Sequence, residues 1–472
     1  MPSRRHQLLD RAAAVGITRS VLVLCALWLV ALGPIVQDLS AQGAPRLALT
    51  GAILDDRDIK IDDYLVGFDF TERDGHIYSD KAPGQEVLAL PVYGLSQAVG
   101  AEPAVVERVE ANLTLWWVTF WSSGIPAVGL ILLMAMACHR RGRPIPAVAL
   151  GALSFGTMLA PMGVTLYGHV LGAALGYAAW VVLDRRTATL GRGAAAGALV
   201  ALAVTVEYQV AIVGLVLAGL LAARRAWGAL AAYALACIPF AAALAAYQDA
   251  AFGSPLASGY THKSYHEGAT LLITGIPKVT TAAAMLFGSR GLLLFTPIVA
   301  VGLWGLVHLW RRERDEGVVA SVAVVAGFLL LQAGWVNAWG GGGPGPRYVI
   351  PMLPFLAIGL AAVWHRVPAA VARFVVGISL TTMLLASFAD HLIPHGGFLL
   401  TSSLRELVTN GPNPTLWTIA LGPAGWILHL AAIAATLALV VRTVGNEPVA
   451  SPGAAADGSG PNAEVTAGAS VV

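Results

Sequence analysis

Few strings in this chain carry chemistry, and they are spaced far apart. Asp62 and Asp63 stand side by side in Ile61-Asp62-Asp63-Tyr64, and either carboxylate can deprotonate a hydroxyl held within hydrogen-bond reach. Lys81 follows Asp80 and precedes Ala82-Pro83-Gly84. A lysine pinned by proline and glycine suits a phosphate, with Asp80 beside it to orient the ammonium. Arg290, Lys263 and Arg347, the last just after a Gly-Pro step, are further cations for phosphate or sugar oxygens, and a guanidinium grips two oxygens at once. Glu207 and His169 interrupt runs that are otherwise uncharged. An ionisable group there is costly, so both are read as supporting positions. The glycines Gly340 to Gly343 precede Arg347 but lack the lysine and Ser/Thr of a nucleotide loop, so ATP is not implied. Asp390, His391 and His395 look like metal ligands, but Pro394 breaks their geometry. No metal site is read from the chain, and a need for a divalent cation stays open.

These residues must be positioned by elements that live in lipid. Of 472 residues 57% are hydrophobic and 12% charged, against about 25% charged in soluble domains. That composition excludes a soluble globule and a disordered chain. A net charge of +2 argues for no nucleic-acid partner. Cys25, Cys138 and Cys237 lie in or beside apolar runs, without the spacing of a metal knuckle or disulfide framework. Apolar runs, uncharged apart from Glu207, cover 21–37, 113–138, 144–183, 193–222, 226–247, 291–310, 318–336, 348–363, 374–389 and 417–441. With the third and fourth read as hairpins, they give about twelve crossings of a bilayer about 30 Å thick.

The expected fold is therefore an all-α polytopic membrane protein. Arg140, Arg185, Arg224 and Arg311 and their neighbours place one set of loops and both termini in the cytoplasm. Residues 1–445 form the membrane domain, with a first outward loop over 39–112, and 446–472 are expected to be a disordered cytoplasmic tail. Ten of the 27 acids fall between Asp55 and Glu86, interleaved with Tyr64, Phe68, Phe70, Ile77 and Tyr78. That mixture predicts a folded loop on the membrane surface.

Taken in order, the acidic first loop, Tyr78 to Gly84 (YSDKAPG), Phe252 to Leu256 (FGSPL), Phe287 to Pro297 (FGSRGLLLFTP) and Gly345 to Leu356 (GPRYVIPMLPFL) resemble the GT-C superfamily of multi-spanning glycosyltransferases. The chain looks closest to bacterial relatives of protein mannosyltransferases and aminoarabinose transferases. The resemblance implies a bundle with its active site on the outer face of the cell membrane. There a sugar passes, with inversion, from a polyprenyl-phosphate donor to a hydroxyl of a glycan, lipid or protein acceptor. Lys81 matches the lysine of a KPP-like string that contacts the donor phosphate, with alanine in place of the first proline. The resemblance also implies a first-loop aspartate as base: Asp62 first, Asp63 next, with Asp55 and Asp56 open. The alternative class is a proton-coupled lipid or solute transporter using Glu207 as relay and Gly340 to Gly343 as hinge. It predicts functional charges midway across several helices, whereas this chain places most of its charges in loops.

Overall fold

The structure is a computed structural model that describes residues 13–64, 69–101, 112–184, 187–262, 275–390, 392–393 and 396–445. Lys263, His391, His395 and the tail from 446 lie outside the described residues. The described residues form a helical bundle with one short antiparallel hairpin, β1 (Phe70–Arg73) and β2 (His76–Ser79). Among the described residues six helices are long and apolar enough to cross a membrane: Leu113–Arg140, Trp227–Phe252, Glu316–Ala333, Arg347–Arg366, Ala369–Phe388 and Leu416–Val444. A bent pair, Val279–Phe295 and Ile298–Arg312, meeting at 95°, counts as a seventh when taken as one broken span. The remaining apolar runs are helical over shorter stretches, among them Arg19–Ala31, His169–Leu183 and Leu190–Val206. The sequence expectation of about twelve crossings counts each such stretch as a span. Thirteen residues from Arg19 to Ala31 reach only about 20 Å at 1.5 Å per residue.

Local chemistry explains where these helices begin and end. Thr18, Asn112, Thr189 and Asp315 each accept a backbone N–H of the first turn that follows them, satisfying donors a helix start leaves open. The run 193–222 breaks at Glu207, whose extended backbone (φ −148°, ψ 111°) separates Leu190–Val206 from the 3₁₀ turn Tyr208–Val210. The run 144–183 breaks around the short helix Leu159–Gly163, which contains Pro161. Glycines set the tightest packing. A Cβ added at Gly193 or Gly197 would lie 2.2 Å from the carbonyl oxygen of Ala229 or Tyr233. Helices Leu190–Val206 and Trp227–Phe252 thus meet backbone to backbone, as small residues allow within a membrane.

The two ends of the bundle differ in kind. At one end Arg141 pairs with Asp184 and Asp315, Arg143 with Glu313, and Arg224 with Glu316. These bridges clamp the ends of five helices. Burial works against Arg141, but Asp184 and Asp315 raise its pKa further, while Arg141 holds Asp315 below the usual carboxylate range against partial burial. Asp184 follows the last residue of the helix that His169 opens, so that helix sets His169 about 22 Å from this ionic girdle. The hairpin, Lys81, Glu207 and Arg347 gather at the His169 end. Within the expected first outward loop, the described residues form helix Ala44–Gly51 with a π turn to Asp56, the hairpin, and helix Gly84–Ala98.

Candidate functional site

Lys81 leaves β2 just before helix Gly84–Ala98, and its side chain is 2% exposed. Its Nζ lies 2.9 Å from Asp80 Oδ2 and 3.1 Å from Asp69 Oδ2, and 5.8 Å from the centroid of the Tyr260 ring. Burial opposes the charge, but Asp80 and Asp69 hold the lysine above its ordinary pKa. The segment after Phe252 closes over this pair. Phe252 packs edge-on to Tyr78 at 6.2 Å, Thr71 donates to the Gly259 carbonyl at 2.9 Å, and a Cβ at Gly259 would lie 2.4 Å from Asp80 Cα. Only glycine admits that approach.

Arg347 opens a 3₁₀ stretch, Arg347–Phe355, and is 5% exposed. Its guanidinium lies over Tyr348 at 5.3 Å and Tyr167 at 5.6 Å, within the range where ring faces attract cations. The Gln42 amide, oriented with its oxygen inward, accepts from Arg347 Nη1 at 3.1 Å. Among the described residues no carboxylate pairs with Arg347, and its Nε has no hydrogen-bond partner. Arg290 sits one layer away. Its Nη1 donates to the carbonyls of Gly341 (3.0 Å) and Gly343 (3.1 Å), which braces the glycine loop against which Arg347 packs. Gly340 and Gly341 have φ of +74° and +127°, conformations open to glycine.

Behind these cations lies a buried network. Arg46 donates to Glu86 at 3.2 Å and to Glu207 at 2.9 Å. Glu207 also accepts from Gln209 at 3.0 Å, and its Oε1 lies 3.5 Å from His169 Nδ1. Burial pushes the Glu86 carboxyl up to about 7, against the pull of Arg46. His169 meets the Tyr167 and Tyr348 rings edge-on, so the network and the Arg347 stack share a wall.

The structure therefore brings Lys81, Asp80, Arg347, His169 and Glu207 into one cluster, with Arg290 behind its glycine loop. It does not bring Asp62 or Asp63 against Lys81. Asp62 accepts from His76 at 2.7 Å and from the Ile77 N–H; slight burial raises its pKa, and these two bonds lower it more. In the hairpin His76 pairs with Arg73 at the turn end, while Ser79, next to Asp80, pairs with Phe70 at the open end. Those ends are about 10 Å apart. Asp63 is exposed. Asp55 holds Tyr93 (2.6 Å) and Gln97 (2.8 Å), and Asp56 holds Tyr64 (3.0 Å), so these acids brace the loop.

Sequence reasoning missed Arg46, Glu86, Asp69, Gln209 and Asp38. Asp38 is an exposed acid in the connection after the first helix. In that connection Gln37 accepts from Thr165, Ser40 hydrogen-bonds Tyr167 and Gln42 meets Arg347. Signals existed for two of them: Arg46 is the lone charge between Leu39 and Leu54, and Asp38 is the first acid after the first apolar run. Among the described residues no three His, Cys, Asp or Glu side chains gather as a metal site.

No family model matches the chain, and no curated protein sequence matches it. Solved structures do. ArnT from Cupriavidus metallidurans bound to undecaprenyl phosphate aligns with TM-score 0.51 at 14% identity, over 90% of this chain and 73% of that one. The apo form of ArnT aligns with TM-score 0.50 at 12% identity, over 90% and 72%. The archaeal oligosaccharyltransferase AglB from Archaeoglobus fulgidus, in complex with an inhibitory peptide and a dolichol-phosphate, aligns with TM-score 0.42 at 12% identity, over 88% and 59%. Over 90% of its length, then, this chain has a fold similar to that of ArnT.

Proposed function

We propose that the protein transfers a sugar from a polyprenyl-phosphate donor to a hydroxyl acceptor, with inversion, at the outer face of the membrane. The observation that carries this reading is Arg347: a buried guanidinium with no carboxylate partner among the described residues, in one cluster with Lys81. A buried charge needs a counter-charge, and a phosphate on a lipid tail arrives from the bilayer side. The ArnT structure that this fold matches holds undecaprenyl phosphate, which supports that class of ligand. As the C–O bond to phosphate breaks, charge develops on the leaving oxygen. Arg347 and Lys81 stabilise it where water is scarce. Neither cation needs a nucleotide.

On this reading the base is a first-loop aspartate, and we place Asp38 ahead of Asp62. Asp38 is exposed for an acceptor and shares a connection with Ser40 and Gln42, which touch Tyr167 and Arg347. Asp62 is committed to His76 and Ile77. Attack by the acceptor oxygen on the sugar's anomeric carbon, opposite the phosphate, gives inversion. The Asp takes the hydroxyl proton, and the polyprenyl phosphate leaves. Sidedness follows from the ionic girdle: Arg141, Arg143 and Arg224 mark the far end of the bundle, and cytoplasmic loops carry the excess of arginine and lysine. A proton-coupled transporter would use Glu207 as its relay, but Arg46 and Gln209 hold that carboxylate in place, and no observation favours that reading.

The test is a transfer assay in proteoliposomes with radiolabelled polyprenyl-phosphate sugars and an extract of envelope acceptors. Label should move to an acceptor in the wild type and not in Arg347→Ala. Failure of a folded wild-type protein to release or transfer label from any donor in the panel would refute the proposal.

A further inference from the structure

We infer that His169 is a second ligand of the donor's phosphate, donating a hydrogen bond through Nε2–H beside the Arg347 guanidinium. This rests on the function proposed above and names an additional residue of the same site. His169 is 1% exposed and opens a helix of 15 residues, His169–Leu183. The start of a helix is where backbone N–H groups and the helix dipole favour an anion.

The hydrogen-bond network sets which ring nitrogen carries the proton. Gln209 Nε2 lies 3.0 Å from Glu207 Oε2 and 3.3 Å from His169 Nδ1. An ionised carboxylate only accepts, and Arg46 at 2.9 Å keeps Glu207 ionised. The face of Gln209 turned to both groups is therefore its NH₂. Glu207 Oε1, at 3.5 Å, makes no hydrogen bond to Nδ1, so Gln209 is the partner of Nδ1, which we assign as acceptor with the proton on Nε2. Space fixes the arrangement further, because a Cβ at Gly168 would lie 2.6 Å from Glu207 Oε1. No side chain fits between that carboxylate and the residue before His169.

His169 Nε2 is buried and makes no hydrogen bond among the described residues, and Arg347 Nε is in the same condition. Both groups border the same two rings. His169 lies 6.0 Å from Tyr167 and 5.6 Å from Tyr348, and the Arg347 guanidinium lies over those rings at 5.6 and 5.3 Å. A buried donor left unmade costs about 1–3 kcal/mol. Two such donors at one wall call for a ligand with several acceptor oxygens. Arg347 brings a positive charge there without a paired acid, so the acceptor is a phosphate rather than a sugar hydroxyl.

The experiment measures binding of undecaprenyl phosphate, and of the sugar-loaded lipid, to purified protein in detergent. The proteins are the wild type, His169→Phe, His169→Gln and Arg347→Ala, each checked for its melting temperature. His169→Phe keeps the ring and loses the donor. It should bind undecaprenyl phosphate about 10-fold or more weakly. His169→Gln restores an N–H near the Nε2 position and should stay within about 3-fold of wild type. Wild-type binding by His169→Phe, with Arg347→Ala defective, would overturn the assignment and leave the function intact. Weakening confined to the sugar-loaded lipid would move the contact to a hydroxyl and overturn it equally. If His169→Gln is as weak as His169→Phe, the N–H donor role is wrong. If the wild type binds neither lipid, the proposed function falls and takes this inference with it.

Discussion

Replacing Arg46 by alanine should be among the most damaging single changes at this site, and the reason does not depend on function. Arg46 and Glu86 have side chains 3% and 0% exposed, and Glu207 is 10% exposed. One guanidinium serves both acids, from helix Ala44–Gly51 to helix Gly84–Ala98 and to the break at Glu207. Removing one partner of a buried ion pair costs about 3–5 kcal/mol, because it strands the other charge. Arg46→Ala strands two. The loss should depend on pH in a stated direction. Burial pushes Glu86 up to about 7 from an ordinary 4.5. With a raised folded-state pKa, its contribution is fully present below about 4.5 and is lost as pH rises through about 7. Without Arg46 the carboxyl rises further, so the mutant should lose more stability at pH 8 than at pH 5. Thermal unfolding in detergent at both pH values measures this. The triple variant Arg46→Met, Glu86→Gln, Glu207→Gln should recover much of the loss, since a buried ionic group is often replaceable by neutral packing. An Arg46→Ala protein that melts like wild type at pH 8 would refute the reasoning. A loss independent of pH would refute the part assigned to Glu86.

Three other outcomes are expected. Asp38→Asn should lower turnover by about 10²-fold or more with donor binding retained, while Asp62→Asn leaves turnover within a few-fold; the reverse pattern in the transfer assay returns the base to the hairpin. Lys81→Ala and Arg347→Ala should each weaken donor affinity by about 1.5–3 kcal/mol per lost charge-assisted bond. Their double mutant should be non-additive if, as proposed, both meet one phosphate; strict additivity in titration counts against a shared ligand. After Cys237→Ser, Asp74→Cys at the exposed hairpin turn should react with an impermeant thiol reagent in intact cells and Arg314→Cys only after permeabilisation; the opposite labelling rejects the outward orientation.

What the sequence made legible follows from what a one-dimensional pattern records. The apolar runs announce helices because lipid forbids charge over about 20 residues. Trp227–Phe252, Glu316–Ala333 and Ala369–Phe388 accordingly lie within several residues of their runs. Lys81 and Arg347 stood out because proline and glycine beside a charge advertise a fixed backbone. Arg46 did not: its partners are 40 and 161 residues away, and a single arginine near an apolar stretch looks like an interfacial anchor. The placement of Asp62 and Asp63 was hidden for a related reason. Adjacency along the chain says nothing of which groups meet across a hairpin, and there Asp62 meets His76 while Asp69 reaches Lys81.

The charges of the cluster, taken in pairs, also bear on which cation selects the ligand. Lys81 has Asp69 and Asp80, and Arg46 has Glu86 and Glu207. Arg347 is set between two tyrosines and an amide instead. A phosphate that approached Lys81 alone would face two carboxylates as close as the ammonium, and the nearest gain would be offset by repulsion. Beside Arg347 it meets a cation with fork-shaped donors and, among the described residues, no carboxylate in ion-pair contact with it, since Asp69 acts on it only from farther off. Selection for an anion therefore belongs to Arg347. On the proposed function Lys81 would share its charge with the phosphate if Asp69, the more exposed of its two acids at 21%, turned toward solvent. On that account Asp69→Asn should tighten phosphate binding, whereas Asp80→Asn, which disturbs a fully buried carboxylate, should lower stability first. Equal effects of the two changes on donor affinity would show that Lys81 is not partitioned in this way.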